Sequence, residues 1–158
     1  MSIVGRQVNF SEKSFYVGQF QRNMDDKMRI VLPTKWRSVT NNEIFLALPN
    51  PIGCVTIYPP KMITRLEEKV AEVSLGDQKG QHVLAKLFSN ADTFSCDQKG
   101  RIKIEERIVA HANISNDVLL IGSYMTFNIW EPNRFQNYIK CIDHQNDEMS
   151  DILKGLGL

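Results

Sequence analysis

Short stretches that alternate apolar and polar positions run along this chain, broken by charged turns, and in places the alternation gives way to helical spacing. Residues 20–24 and 29–32 alternate as half-buried strands do, with Asp25, Asp26 and Lys27 in the turn between them. Residues 44–48 and 54–58 form a second strand pair around Asn50, Pro51, Ile52 and Gly53, a strong turn signal. The same order recurs at 93–96, 101–104, 118–121 and 126–130, and a polar or short helical piece separates the strand pairs in each half. Helical spacing predicts 60–73 as a helix, through Met62, Ile63, Leu66, Val70 and Val73, with Pro60 suited to its first turn. It predicts another at 81–88, with Val83, Leu84, Leu87 and Phe88 on one face. Pro132 opens a further helix bearing Phe135, Tyr138, Ile139 and Ile142, and Met149, Ile152 and Leu153 predict one in the tail.

The two halves resemble each other. Arg29 and Arg101 are 101 − 29 = 72 residues apart, and the same offset without gaps carries Ile57-Tyr58-Pro59-Pro60 onto Ile129-Trp130-Glu131-Pro132. It also carries Thr56 onto Asn128 and Leu46-Ala47-Leu48 onto Val118-Leu119-Leu120. The expected fold class is α+β, with two strand-rich halves related by the 72-residue offset as a pseudo-twofold unit, each half capped by helices. The expected organisation is an N-terminal arm at 1–14, a first half at 15–80, a second half at 81–145 and a helical tail at 146–158, all in one compact tandem unit.

Composition adds little to this picture. At 158 residues, 42% hydrophobic and 23% charged, the chain has the profile of one soluble globular domain or two closely packed halves. Apolar runs such as 118–121 are far below the ~20 residues that span a bilayer, and the start lacks the apolar core of a secretory signal. Cys54, Cys96 and Cys141 form no CxxC pair, which argues against a zinc knuckle or redox motif and fits a reduced, cytoplasmic compartment. A net charge of +1, from 19 Lys+Arg and 18 Asp+Glu, gives no global attraction to nucleic acid. Polyanion binding must come from local clusters or from repeated weak sites.

The candidate chemistry lies in a charged element that occurs twice: Asp25, Lys27, Arg29 and Asp97, Lys99, Arg101. A single copy reads as a solvated turn whose ion pair contributes ~0–1 kcal/mol. Many residues satisfy a turn, so retention of Lys and Arg at matching offsets points to an outward role. Arg offers a bidentate fork to phosphate or to guanine, Lys a point charge, and a two-stranded ribbon fits the major groove. Other constellations are weaker. His82, His111 and His144 lack metal-ligand spacing. Asp143, Gln145 and Asp147 begin like a calcium loop, but Glu148 and Lys154 stand where Gly and the bidentate Glu belong. No GxSxG elbow or phosphate-cradling loop occurs, so neither catalysis, nor a cofactor, nor a small-molecule substrate is expected. Residues 77–80 repeat the Asp-Gln-Lys-Gly of 97–100 in what reads as a linker, and Trp36 and Trp130 read as core anchors.

The paired Asp-x-Lys-x-Arg turns, Leu-Pro-Thr-Lys-Trp-Arg at 32–37, Leu-Leu-Ile-Gly at 119–122 and Ile129-Trp130 together resemble the MraZ family over roughly residues 15–142. The resemblance implies a tandem of AbrB-like swapped-hairpin units and a ring-shaped homo-oligomer. It implies a DNA-binding transcriptional regulator associated with the nucleoid, acting on double-stranded DNA at promoter repeats. The target it implies is the division and cell-wall cluster containing the regulator's own gene, typically repressed. Residue by residue, the implied DNA-facing positions are Asp25, Lys27, Arg29, Asp97, Lys99 and Arg101. The chain departs from the family pattern at Met28, where Gly is general, at Glu105 and Glu106, where Pro is common, and in a longer N-terminal arm. An antitoxin-like or other protein-interaction module on the same fold is the alternative; two fused units and a short tail favour the regulator. Charge further suggests that the two arginines differ. Asp25, Asp26, Lys27 and Arg29 sum to zero, whereas Asp97, Lys99 and Arg101 sum to +1. Arg101 is then expected to serve phosphate attraction and Arg29 a base edge.

Overall fold

Among the described residues, six strands form one antiparallel sheet, and two more form a separate ribbon that carries both charged turns. The computed structural model describes residues 15–37, 43–143 and 148–157. Chain order gives β1 (Gln19–Asn23), β2 (Arg29–Val31), a 3-10 turn at Thr34–Trp36, β3 (Ile44–Pro49) and β4 (Val55–Tyr58). Next come α1 (Pro60–Ala71), α2 (Gln78–Phe88), β5 (Asp92–Ser95), β6 (Arg101–Lys103) and α3 (Glu106–His111). The chain closes with β7 (Asp117–Gly122), β8 (Phe127–Trp130), α4 (Pro132–Asp143) and α5 (Glu148–Gly155). The α+β reading and the alternation of strands and helices therefore hold. The N-terminal arm, His144, Gln145, Asn146, Asp147 and Leu158 lie outside the described residues.

The sheet runs β1-β7-β8-β4-β3-β5. The first strand of each half thus pairs with a strand of the other half: β1 with β7, and β5 with β3. At the sheet centre β4 pairs with β8, and Thr56 stands opposite Asn128, 72 residues on. There Thr56 Oγ1 donates to Asn128 Oδ1 at 2.8 Å and accepts from Asn50 Nδ2 at 3.1 Å, so the buried hydroxyl is satisfied. In the ribbon β2 pairs with β6, and Ile30 stands opposite Ile102, again 72 residues on.

The gapless offset fails in one place. Leu48 pairs with Thr56, and Ile121 pairs with Asn128, so β3 and β7 correspond at 121 − 48 = 73 residues. Phe45-Leu46-Ala47, not Leu46-Ala47-Leu48, is the counterpart of Val118-Leu119-Leu120. Turn length is the reason. Five residues separate the paired Pro49 and Val55, but four separate Gly122 and Phe127, so the shift is absorbed before β8. Side-chain direction has a period of two, and a one-residue slip would turn each buried position outward.

The core lies between the ribbon and the sheet. Ile30, Leu32, Ile57, Ile102, Ile104, Ile108, Leu120 and Ile129 are each at most 2% exposed, and burial of such a side chain stabilises by ~1.5–3 kcal/mol. Tyr16, Trp36 and Phe127 form an aromatic cluster among them, with Trp36 Nε1 donating to the carbonyl of Val17 at 3.1 Å. Trp130 is held by Phe135 and Tyr138 of α4. Both tryptophans are 1% exposed and serve as core anchors. Helix α2 starts at Gln78, earlier than its apolar spacing predicts, because the Asp77 side chain accepts from the N–H of Gly80 at 3.0 Å and caps it. No helix among the described residues is long and apolar enough to cross a membrane.

Candidate functional site

The two charged turns are built by the same five hydrogen bonds. Asp25 Oδ1 accepts from the N–H groups of Lys27 (2.9 Å) and Arg29 (2.8 Å), and its Oδ2 accepts from Arg29 Nε at 2.7 Å. Asp97 does the same for Lys99 (2.9 Å), Arg101 (2.8 Å) and Arg101 Nε (2.7 Å). The main chain closes each turn. The Asp25 N–H donates to the Arg29 carbonyl at 3.0 Å and the Met28 N–H to the Asp25 carbonyl at 3.1 Å; the equivalents at Asp97 and Gly100 are 2.9 and 3.0 Å. An aspartate suits this position because one short carboxylate satisfies both turn N–H groups and still reaches the arginine.

Those bonds hold both carboxyls below the usual aspartate range. Around Asp25 desolvation pushes the pKa up, and the bonds from Arg29 and Lys27 with the Arg29 charge outweigh it. Around Asp97 the Arg101 N–H is the largest influence and lowers it; desolvation opposes, and the Arg101 side chain reinforces the lowering. Both carboxylates are thus held in the ionised form. Each arginine is oriented through Nε, the one side-chain nitrogen it donates among the described residues, so its terminal nitrogens make no protein hydrogen bond among those residues.

The fourth turn residue adopts a left-handed conformation in both copies, with Met28 at φ +59° and Gly100 at φ +76°. The departure from Gly at position 28 therefore leaves the turn geometry unchanged. A non-glycine residue there costs ~1–2 kcal/mol, offset here by the packing of the Met28 side chain on the core.

The ribbon brings the turns onto one element. Met28 and Gly100 accept from the N–H groups of Ile104 and Leu32 at 3.0 and 2.9 Å, which makes Ile30 and Ile102 a hydrogen-bonded pair. Their side chains point into the core, so Arg29, Val31, Arg101 and Lys103 share the outer face. Arg29 lies directly opposite Lys103, and Val31 opposite Arg101, in non-hydrogen-bonded pairs, where cross-strand side chains come closest. Asp26, Lys27, Gln98 and Lys99 lie at the turn tips, and all four are exposed.

Two cations here were not singled out from the sequence. Lys103 comes two residues after Arg101, and strand alternation alone would have placed it on the arginine's face. Arg22 donates Nε to the Val31 carbonyl at 3.1 Å and Nη1 to the Gln21 carbonyl at 2.9 Å; no local signal marks it, because its partner lies on another strand. Of the two acids that depart from the family pattern, Glu105 accepts from Arg107 Nε at 2.9 Å, and Glu106 is exposed in the first turn of α3. His111 Nε2 lies 2.7 Å from the Asn50 carbonyl, and no group of His, Cys, Asp or Glu among the described residues is placed to hold a metal.

Comparison with known proteins gives one family. The family model described as "MraZ protein, putative antitoxin-like" matches residues 87–152. A protein of Halothermothrix orenii is 26% identical over 143 residues, covering 90% of this chain and 99% of its own. A protein of Clostridium tetani is 29% identical over 140 residues (87% and 98%), and one of Syntrophobacter fumaroxidans 29% over 148 residues (92% and 99%). All three carry the name "Transcriptional regulator MraZ".

Proposed function

We propose that this chain is a member of the MraZ family and a DNA-binding transcriptional regulator whose ribbon presents two arginine prongs to double-stranded DNA. One observation carries this reading: two turns built from the same five hydrogen bonds lie on a single two-stranded ribbon. A ribbon of this kind fits a major groove ~12 Å wide. Asp25 and Asp97 act as positioning residues, fixing Arg29 and Arg101 before contact. Preorganisation reduces the ordering cost of binding. Lys27 and Lys99, at the tips, reach phosphates.

The wider reading grows from the same features. The strand exchange between β1 and β7 and between β5 and β3 supports two AbrB-like swapped hairpins, related by a pseudo-twofold axis through the Ile30–Ile102 and Thr56–Asn128 pairs. The halves are 15–80 and 81–145, with an arm before and a tail after them. A chain of net charge +1 makes few phosphate contacts by itself, so a ring-shaped homo-oligomer multiplies them. The face of α1 bearing Ile63, Leu66 and Val70 is a contact surface for it, since none of that helix is fully buried. The protein acts in the cytoplasm at the nucleoid and represses the division and cell-wall cluster that contains its own gene.

The test is binding to a duplex from the gene's own upstream region and to random duplex of equal length. Wild type should prefer the upstream duplex, and a folded Arg29→Ala/Arg101→Ala variant should lose the preference. Wild-type preference in that double variant would overturn the reading.

A further inference from the structure

We propose that Lys103 is a phosphate contact paired with Arg29 across the ribbon, and that Val31 marks where the other end of the ribbon lacks the matching contact. The proposal rests on the DNA-binding reading and adds to it a residue outside the Asp-x-Lys-x-Arg element.

The register is the starting point. Lys103 stands directly opposite Arg29 in a non-hydrogen-bonded pair on the exposed face. Like charges at directly opposed strand positions repel and destabilise the sheet. Arg29 has Asp25 as its ion-pair partner, yet no carboxylate among the described residues lies within 4 Å of Lys103. Among those residues, nothing local compensates its charge. An arrangement of this kind is relieved by an anion arriving from solvent.

Chemistry then separates the two cations. Arg29 is pinned through Nε, so its terminal nitrogens form an oriented fork suited to a planar, bidentate acceptor. Lys103 is an exposed point charge on a flexible stem, suited to a phosphate that carries no sequence information. The Arg29 turn is otherwise neutral, with Asp26 cancelling the attraction of Lys27. Lys103 restores a positive end from the other strand.

The opposite end lacks this device. The residue 72 positions before Lys103 is Val31, 39% exposed and paired with Arg101. Arg22 lies nearby, but its guanidinium already donates to the carbonyls of Gln21 and Val31. The two ends of the ribbon therefore differ by one cation at equivalent positions.

That difference supplies exchanges between equivalent exposed positions of the ribbon. Lys103→Val places at 103 the residue that position 31 already carries, and Val31→Lys does the reverse. Binding is measured by fluorescence anisotropy on upstream and random duplexes at several salt concentrations, with circular dichroism as the folding control. Lys103→Val should weaken binding to both duplexes by the same factor and flatten the salt dependence by about one unit of slope per chain engaged. Val31→Lys should steepen it by about one unit. Unchanged slope for folded Lys103→Val and Lys103→Gln, in a protein whose binding Arg29→Ala/Arg101→Ala abolishes, would overturn this proposal alone. Loss of preference for the upstream duplex in Lys103→Val would assign Lys103 to a base and also overturn it. Wild-type binding in the arginine double variant would instead remove the DNA-binding reading beneath it.

Discussion

The guanidinium of Arg37 lies over Gly100, in the space a side chain at position 100 would need, and its Nε and Nη2 donate to the Leu32 carbonyl at 3.1 and 2.9 Å. Applying the 72-residue offset, the counterparts of Gly100 and Arg37 are Met28 and Val109. Where the second turn has glycine beneath an arginine, the first has methionine packed on the core cluster that contains Val109. Both backbones reach the left-handed region, by different means.

This exchange predicts a coupled pair. Gly100→Met alone should cost about 3 kcal/mol, from ~1–2 of backbone strain and from displaced bonds of Arg37 to Leu32. In an Arg37→Val background the same change should cost ~1–3 kcal/mol less, because that double variant copies the first half. Urea unfolding of the four proteins measures the coupling. Additive losses, within ~0.5 kcal/mol, would mean the two side chains do not share the volume.

The ribbon's inner pair should be as sensitive as any core position. Ile30→Ala and Ile102→Ala each remove a fully buried side chain between ribbon and sheet, and each should cost ~2–5 kcal/mol. Ile102→Val should cost only ~0.5–1.5 kcal/mol. Thermal or denaturant unfolding reads both. Losses near zero would place the ribbon outside the cooperative core.

Much of the fold was legible in the sequence, and the exceptions have physical causes. Strand alternation and the Pro60 and Pro132 starts marked the elements, because burial on one face imposes a period that local sequence records. The duplicated turn was legible because three of its bonds need the Asp carboxylate, and one of these needs Arg Nε at a fixed separation. The one-residue slip of β3 against β7 was not, since both candidate alignments place apolar residues on apolar residues, and turn length alone separates them. The repeated Asp-Gln-Lys-Gly took two forms, a capped helix start at Asp77 and a strand turn at Asp97. The residues next in the chain decide between them: Gln81-His82 and an apolar helical face in one case, Arg101-Ile102 and a strand in the other. Lys103 opposite Arg29 needed the register between halves, which no local pattern carries.

The carboxyls make a pH prediction. Asp25 and Asp97 are held below their ordinary value of 3.8, so their folded-state pKa is depressed. A depressed carboxyl contributes stability above its unfolded pKa and loses it as pH falls through its folded pKa. Wild type should therefore exceed Asp25→Asn/Asp97→Asn in stability at about pH 6, and the gap should narrow below about pH 4. Solvent reaches both groups, so the gap should be small. Denaturant unfolding between about pH 3 and pH 6 checks it, and a gap that widens on acidification would contradict the sign.

The last prediction separates the two arginines. They are equally exposed, at 27% and 26%, and tethered by the same 2.7 Å bond, so geometry alone would make them equivalent. Their surroundings differ. Asp26 neutralises the tip beside Arg29, and Lys103 stands opposite that arginine; on the proposed reading Lys103 serves phosphate and the Arg29 fork a base edge. Arg101 faces Val31, and on the same reading it carries the attraction at its own end. Arg29→Ala should then weaken binding to the upstream duplex more than to random DNA, by the ~1–3 kcal/mol of a bidentate base contact. Arg101→Ala should weaken both alike and flatten the salt dependence by about one unit of slope. Removing the acid offers an independent check: Asp26→Ala should raise affinity for random DNA and so reduce the preference for the upstream duplex. Equal losses on both duplexes from Arg29→Ala would refute the division, and the two prongs would then be interchangeable phosphate contacts.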